Sequence, residues 1–173
     1  MKKLNIVFMG APSSGKTTLC KALATHFEEP WMFEFGKQYW IEHQVDRRLS
    51  QEQLHEIALL HLNEENQRLS EAKNVLFTDT NAITTYMFAL DYYGHVDEDL
   101  TKLAQQAEHR YDHFFVCDID IPYEDTWERS GLVYRERFQK MILEDLRRRS
   151  VNFTLLSGTL KERFDKVCSV ILS

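Results

Sequence analysis

The sequence has few of the features that mark disordered, membrane-spanning or nucleic-acid-binding chains. Only three prolines and six glycines occur among 173 residues, which argues against long disordered linkers. No apolar run approaches the roughly 18 residues that a membrane span needs, so we expect no membrane partner. The net charge is −6, and no basic run or basic helical stripe is present. A nucleic acid partner is therefore not expected.

Cysteine is also scarce, and its spacing is typical of neither disulfides nor metal sites. Cys20, Cys117 and Cys168 are odd in number, far apart and set in apolar surroundings. No CxxC pair or HExxH pattern accompanies them, so a structural zinc ion is not expected. We interpret them as reduced thiols, and we expect a cytoplasmic protein.

The chain length fits one domain, residues 1–173, in which strand and helix patterns alternate. This order predicts a three-layer α/β fold with a five-stranded, mainly parallel sheet. Ser50 with Gln53, and Thr159 with Glu162, fit capping boxes that open two of the helices. The predicted strands are residues 4–8, 31–35, 74–78, 113–119 and 152–156, and the predicted helices are residues 16–27, 51–72, 81–93, 98–110, 134–149 and 160–172.

A phosphate-binding loop follows the first predicted strand and precedes a helix. Residues 10–17 read GAPSSGKT and match GxxxxGK[ST]. In such a loop the backbone N–H groups hold phosphate oxygens, Lys16 reaches the outer phosphates, and the Thr17 hydroxyl can bind Mg²⁺. The motif predicts nucleotide binding, but it does not specify the reaction.

Asp79 marks the end of the third predicted strand, in the stretch NVLFTDTN. Open α/β sheets bind ligands at the carboxyl ends of their strands, so this carboxylate is placed to hold Mg²⁺ or its water. Alternatively, Asp79 caps the next helix. The P-loop beside it favours the metal role.

The stretch WMFEFGKQYW, residues 31–40, sets a lone carboxylate, Glu34, among aromatic residues. If residues 31–35 form the second strand, Glu34 lies at its carboxyl end and could accept a proton from an acceptor hydroxyl. Equally, Glu34 could pair with Lys37 or cap a helix. The aromatic rings, Phe33 and Tyr39 among them, are expected mainly in the core, although a ring at this edge could stack on a flat substrate.

Residues 121–137 follow the fourth predicted strand and are polar and arginine-bearing. They are predicted to form a flexible lid in which Arg129, Arg135 and Arg137 bring positive charge to a transferring phosphoryl group and exclude water. A solvated loop followed by a helix start is the alternative. Asp118 and Asp120, just before this segment, are alternative metal ligands.

Together these residues resemble the ribosylnicotinamide kinases. The similarity covers nearly the whole chain and is most specific in four places: FEFGK at 33–37, ALLH at 58–61, FTDTNAITTYMF at 77–88, and Trp127 with Gly131. It implies an NMP-kinase-like P-loop fold and Mg²⁺-dependent transfer of the ATP γ-phosphate to the 5′-hydroxyl of nicotinamide riboside.

The motifs and the resemblance together indicate roles for individual positions. The expected catalytic residues are Lys16, Glu34, Arg135 and Arg137, and the expected metal ligands are Thr17 and Asp79. ATP is expected to contact Gly10, Ala11, Pro12, Ser13, Ser14, Gly15, Lys16, Thr17, Thr18 and, at adenine, Gly158. The acceptor is expected to contact Phe33, Glu34, Lys37, Tyr39, Asp79, Asn81 and Trp127.

This chain departs from the family pattern mainly on the acceptor side. Lys37 replaces an arginine, Gln38 replaces a carboxylate, and Asn81 replaces a second acid. In the lid, Ser130 and Val133 replace an acid and an arginine. Two other functions therefore stay open: a kinase for another nucleoside or nucleotide, and a nucleotide-dependent regulatory ATPase in which Glu34 would polarise water.

Overall fold

In a computed structural model, five parallel strands form one sheet with helices on both faces. The structure describes residues 2–43, 48–123 and 132–172. The strands are β1 (Leu4–Met9), β2 (Trp31–Met32), β3 (Val75–Asp79), β4 (His113–Cys117) and β5 (Phe153–Leu156). The helices are α1 (Lys16–Phe27), α2 (Phe35–His43), α3 (Gln51–Glu71), α4 (Ala82–Tyr93), α5 (Glu98–Ala107), α6 (Leu132–Arg148) and α7 (Leu160–Ile171).

The sheet order is β2-β3-β1-β4-β5, which puts β1 at the centre and confirms the predicted five-stranded parallel sheet. Successive side chains of a strand point to opposite faces, and β1 supplies both cores in this way. Val7 and Met9 pack with the helices α3 to α6, whereas Ile6 and Phe8 pack with α1 and α7. Both faces of the central strand are therefore buried, as its continuous apolar run predicted.

The two predicted capping boxes are both formed. The Ser50 and Thr159 hydroxyls accept from the backbone N–H groups of Gln53 and Glu162, and the latter side chains accept from the capping residues in return. Each box satisfies backbone donors that the first helical turn leaves without intrahelical partners.

The second strand is shorter than predicted, and a helix was missed. The strand ends at Met32 instead of Phe35, and Phe35 begins α2. Phe35 and Tyr39 are four residues apart, so they share one helical face, and both pack into the core beside α3. The aromatic run resembled a strand because four of the five residues 31–35 are apolar, but the spacing of Phe35 and Tyr39 is that of a helix.

The predicted lid is helical over its last six residues. Residues 132–137 belong to the first turns of α6, which begins at Leu132, two residues before the predicted start. Residues 124–131, including Trp127, Arg129, Ser130 and Gly131, lie outside the described residues. The lid as a mobile flap remains a prediction.

Candidate active site

The P-loop connects the central strand to α1 through a close approach to β4. Gly10 has φ 140°, and a Cβ on it would lie 2.6 Å from the carbonyl oxygen of Cys117. Only glycine fits there without a shift of backbone. Gly15, with φ 84°, lies at the N-terminus of α1, which begins at Lys16. The loop and the positive helix end thus form the anion site that the motif predicts.

Lys16 is buried and folded back onto the loop that carries it. Its Nζ donates to the carbonyl oxygens of Gly10 and Ala11 at 2.9 and 3.0 Å. A buried ammonium held by two neutral carbonyls still has charge to offer an anion. Phosphate oxygens bound by the loop would supply the remaining hydrogen-bond acceptors of the Lys16 ammonium.

Two buried arginines hold the outside of the P-loop. Arg135, on α6, donates to the carbonyls of Ser13 and Ile121 at 2.9 and 3.0 Å. Arg163, on α7, donates to the carbonyls of Ser14, Gly158 and Asp118 at 2.7, 3.0 and 3.1 Å, and to the Asp120 carboxylate. We call this pair the arginine clamp. It ties the loop to three distant segments of the chain and so fixes its shape.

Gln139 completes this support from α6. Its Oε1 accepts from the backbone N–H of Ala11 at 2.8 Å, and its Nε2 donates to the Cys117 carbonyl at 3.1 Å. Neither Gln139 nor Arg163 was singled out from the sequence. The sequence around them is that of an ordinary amphipathic helix. Their partners in the P-loop, Ala11 for Gln139 and Ser14 for Arg163, lie more than a hundred residues earlier in the chain.

Thr17 and Asp79 meet at the carboxyl edge of the sheet, as the magnesium prediction requires. Thr17 Oγ1 donates to Asp79 Oδ2 at 2.5 Å. Asp79 is fully buried, and among the described residues its Oδ1 has no hydrogen-bond partner. A hydroxyl beside a carboxylate with an open oxygen is a donor set that suits Mg²⁺ or its water. The residues therefore fit the ion.

The electrostatics of Asp79 bring Glu34 into the site. Burial raises the pKa of Asp79 to about 6; Lys16 opposes the rise, and the negative charge of Glu34 adds to it. A cation bound at Asp79 would relieve this repulsion between the two carboxylates. Glu34 is partly buried in the turn between β2 and α2, beyond Met32, which is level with Thr78 of β3.

The other residues predicted to contact the acceptor are only partly brought together. Phe33 stacks on Phe35 with centroids 6.0 Å apart, and the Arg68 guanidinium lies 5.2 Å from its ring. Tyr39 is buried and donates to Glu56 at 2.5 Å, as a core residue does. Lys37 is exposed on α2. The fourth of these positions, Trp127, lies outside the described residues.

Asn81 caps α4 while keeping a free donor. Its Oδ1 accepts from the N–H of Ile83 at 3.0 Å. The residue is buried, and its Nδ2 has no partner in the described part of the chain. The cap that the sequence offered as a second role for Asp79 is thus made by Asn81, two residues later.

The remaining predicted charges have protein partners. Arg137 pairs with Asp91 at 2.7 Å on α4. Asp118 Oδ1 accepts from the N–H of Ile119 at 2.8 Å, and Asp120 accepts from the N–H of Gly158 at 2.5 Å besides pairing with Arg163. The two aspartates therefore build the loop around Gly158, the position expected at adenine. Over the described ranges, no cluster of three or more His, Cys, Asp or Glu residues suits a metal ion.

One buried polar group near this edge was missed. His61, on α3, is buried, lowers the pKa of Asp79 when it is protonated, and has its Nε2 3.5 Å from Glu65 Oε2. The sequence indicated it only as the last residue of ALLH. Its position on the buried face follows from the spacing Leu54, Ile57, Ala58 and His61 along α3.

The fold and this site define a P-loop nucleotide-binding domain. The model of the AAA domain family matches residues 5–163, and the chain belongs to that family. Over 152 residues it is 28% identical to the trifunctional NAD biosynthesis/regulator protein NadR of Salmonella typhimurium, and equally to NadR of Escherichia coli. These alignments cover 86% of this chain but only 37% of either relative.

Solved structures show the same fold. A crystal structure of NadR in complex with NR superposes with a TM-score of 0.74 at 21% identity, covering 97% of this chain and 50% of that one. Thymidylate kinase from Ehrlichia chaffeensis superposes with a TM-score of 0.69 at 15% identity, covering 99% of this chain and all of the other. The predicted NMP-kinase-like P-loop fold is confirmed, and so is the resemblance to NadR. Within the described ranges, no helix is long and apolar enough to cross a membrane.

Proposed function

We propose that the protein is a kinase that transfers the γ-phosphate of ATP to the 5′-hydroxyl of nicotinamide riboside. The observation that carries the proposal is the position of Glu34 in the turn after β2, from which its charge acts on Asp79, the hydrogen-bond partner of Thr17 in the P-loop. A nucleotide-binding loop alone suits many reactions, but a second carboxylate on the acceptor side supplies the base that a hydroxyl acceptor needs. The similarity to NadR, one structure of which holds NR, supports the choice of acceptor.

The chain's own residues suggest how the transfer would proceed. Glu34 takes the proton of the acceptor hydroxyl as its oxygen attacks the γ-phosphorus, and the bond from that phosphorus to the β–γ bridging oxygen breaks to release ADP. Lys16 and the N-terminus of α1 hold the phosphate oxygens in line. Thr17 and Asp79 would hold Mg²⁺, which when bound offsets the charge of the phosphates.

The test is the substitution Glu34→Gln. It removes the base but keeps the size of the side chain, so turnover should fall by about 10² or more while ATP affinity changes little. Glu42→Gln, an exposed position on α2, is the matched control and should keep wild-type turnover. Unaltered turnover in Glu34→Gln would reduce Glu34 to a structural ion-pair partner.

The acceptor is tested by a coupled assay that follows ADP formation with a panel of nucleosides and nucleotides, nicotinamide riboside included. We expect nicotinamide riboside to give the largest acceptor-dependent rate. A larger rate with thymidylate or a deoxynucleoside would favour a kinase for another nucleoside or nucleotide, an activity compatible with the fold that the chain shares with thymidylate kinase. ADP formation at one rate regardless of acceptor would instead indicate a regulatory ATPase.

A further inference from the structure

A second cavity lies between α3 and α5, away from the phosphate-binding loop. Its volume is about 390 Å³, within the general range of small-molecule sites. None of its lining residues belongs to the P-loop, to β2 or to the turn that carries Glu34. The cavity therefore adjoins the site described above only through His61 and through Ala82, which follows Asn81.

The walls of this cavity are apolar, and small side chains leave the space between them. Ala58, Ala82 and Ala107 line it together with Leu62 and Leu103. Helices that face each other through alanine leave room that larger residues would fill. Such walls suit the face of a flat apolar ring.

One end of the cavity is polar but balanced in charge. Glu65 is buried and accepts from Asn5, Arg110 and Tyr111 at 2.9, 2.6 and 2.7 Å. With His61 uncharged, the carboxylate and the Arg110 guanidinium cancel, so an ion entering the cavity would lose its hydration and find no uncompensated opposite charge. The ligand that fits is uncharged.

His61 supplies the unmet hydrogen-bonding capacity. It lines the cavity and is 6% exposed, and Glu65 Oε2, at 3.5 Å, is too far from its Nε2 to make a full hydrogen bond; no other partner for this atom lies within the described residues. A buried polar group without a partner costs free energy that a ligand can recover. The side-chain amides of Asn66 and Gln106 line the same space and add donors and acceptors.

We infer that this cavity is a second ligand site for a small, uncharged, planar molecule with an amide-like hydrogen-bonding edge, such as a carboxamide-bearing heterocycle or a free nucleobase. The alanine walls hold the ring, and His61, Asn66 and Gln106 meet the polar edge. Ala82 is the first residue of α4 and follows Asn81, so the ligand would border the acceptor side of the proposed kinase site.

The experiment titrates the isotopically labelled full chain with nicotinamide, adenine and nicotinate, and follows its backbone amide resonances. Nicotinate matches nicotinamide in shape but carries a negative charge. We expect saturable shifts at α3 and α5 with at least one neutral probe, and binding of nicotinate weaker by about tenfold or more than that of nicotinamide. In Ala107→Leu, which fills the cavity, binding should weaken by a similar factor, whereas Gln105→Leu, an exposed position on the same helix outside the cavity, should bind as wild type does.

An ATP titration of each variant checks that the fold and the P-loop are intact, and it should give the wild-type affinity. If Ala107→Leu does not fold, Leu103→Phe fills the same space from the same helix and replaces it. The inference is wrong if neither neutral probe binds saturably, if nicotinate binds as tightly as nicotinamide, or if the filled variant binds the neutral probe like wild type. The last result would place the probe at the acceptor site of the proposed kinase.

Discussion

Replacing Arg163 by methionine should weaken both the fold and nucleotide binding. The side chain is 3% exposed, and its guanidinium joins the P-loop, the loop at Gly158 and the segment after β4. Methionine keeps much of the volume but leaves three carbonyls and the Asp120 carboxylate without their donor. Removing one partner of a buried ion pair costs about 3–5 kcal/mol. Asp120 is partly solvated, so its share is small; the carbonyls of Gly158 and Asp118 are part-buried, so the three carbonyls together lie near the lower end of about 1–3 kcal/mol each.

A total of about 3–5 kcal/mol corresponds to a fall in Tm of about 6–20 °C for a chain of this size. Thermal unfolding of Arg163→Met checks this value, with Lys166→Met, an exposed position on the same helix, as the control. Arg163→Lys keeps the charge but not the planar fork, and it should lie between the two. ATP affinity should fall about tenfold in the methionine variant because the carbonyl of Ser14 is released. A Tm within about 2 °C of the control, the scale of about 1 kcal/mol, together with unchanged ATP affinity would refute the role of the arginine clamp.

Two further predictions concern buried carboxylates, measured by chemical denaturation across pH without Mg²⁺. Burial raises the pKa of Asp79 from 3.8 to about 6, so the folded state takes up protons and the stability of the wild type falls as pH rises between those values. Asp79→Asn should therefore gain about 3 kcal/mol at pH 8, a gain that disappears near pH 4, while losing turnover; equal stability at both pH values would contradict this. Glu65 behaves oppositely: burial raises its pKa, but His61 and Arg110 outweigh burial and lower it from 4.5 to about 2. Glu65→Gln should thus cost about 3 kcal/mol at pH 7, and the cost should fade from pH 4.5 to 2; a pH-independent cost would mean that the charge is not responsible.

The phosphate half of the site was predictable because its signals are local. The glycines, Lys16 and Thr17 lie within eight residues of one another, and a strand and a helix flank them as the motif requires. Asp79 was predictable because the end of an apolar run marks the sheet edge. In both cases the neighbouring residues along the chain determine the position.

The acceptor half was less predictable because apolarity without clear alternation suits both a strand and a buried helix. Phe35 and Tyr39 required the helical reading, which moved Glu34 from a strand to a turn. Arg163 could not be found at all, since its partner Ser14 is 149 residues away in the sequence. Likewise, the sequence presented Arg135 as part of a lid, whereas its contacts with Ser13 and Ile121 make it a support of the loop.

The burial of two cysteines near the P-loop has a consequence for chemical labelling. Cys20 and Cys117 are fully buried, and burial raises the pKa of each, that of Cys117 to about 11. Because the thiolate is the reactive form, neither should be alkylated in the native state, whereas the partly exposed Cys168 can be. Cys168 should therefore be alkylated in the native state, and the two inner thiols only after the core unfolds. The rate at which Cys20 and Cys117 are alkylated would then report the unfolding rate of the nucleotide-binding core without any added probe.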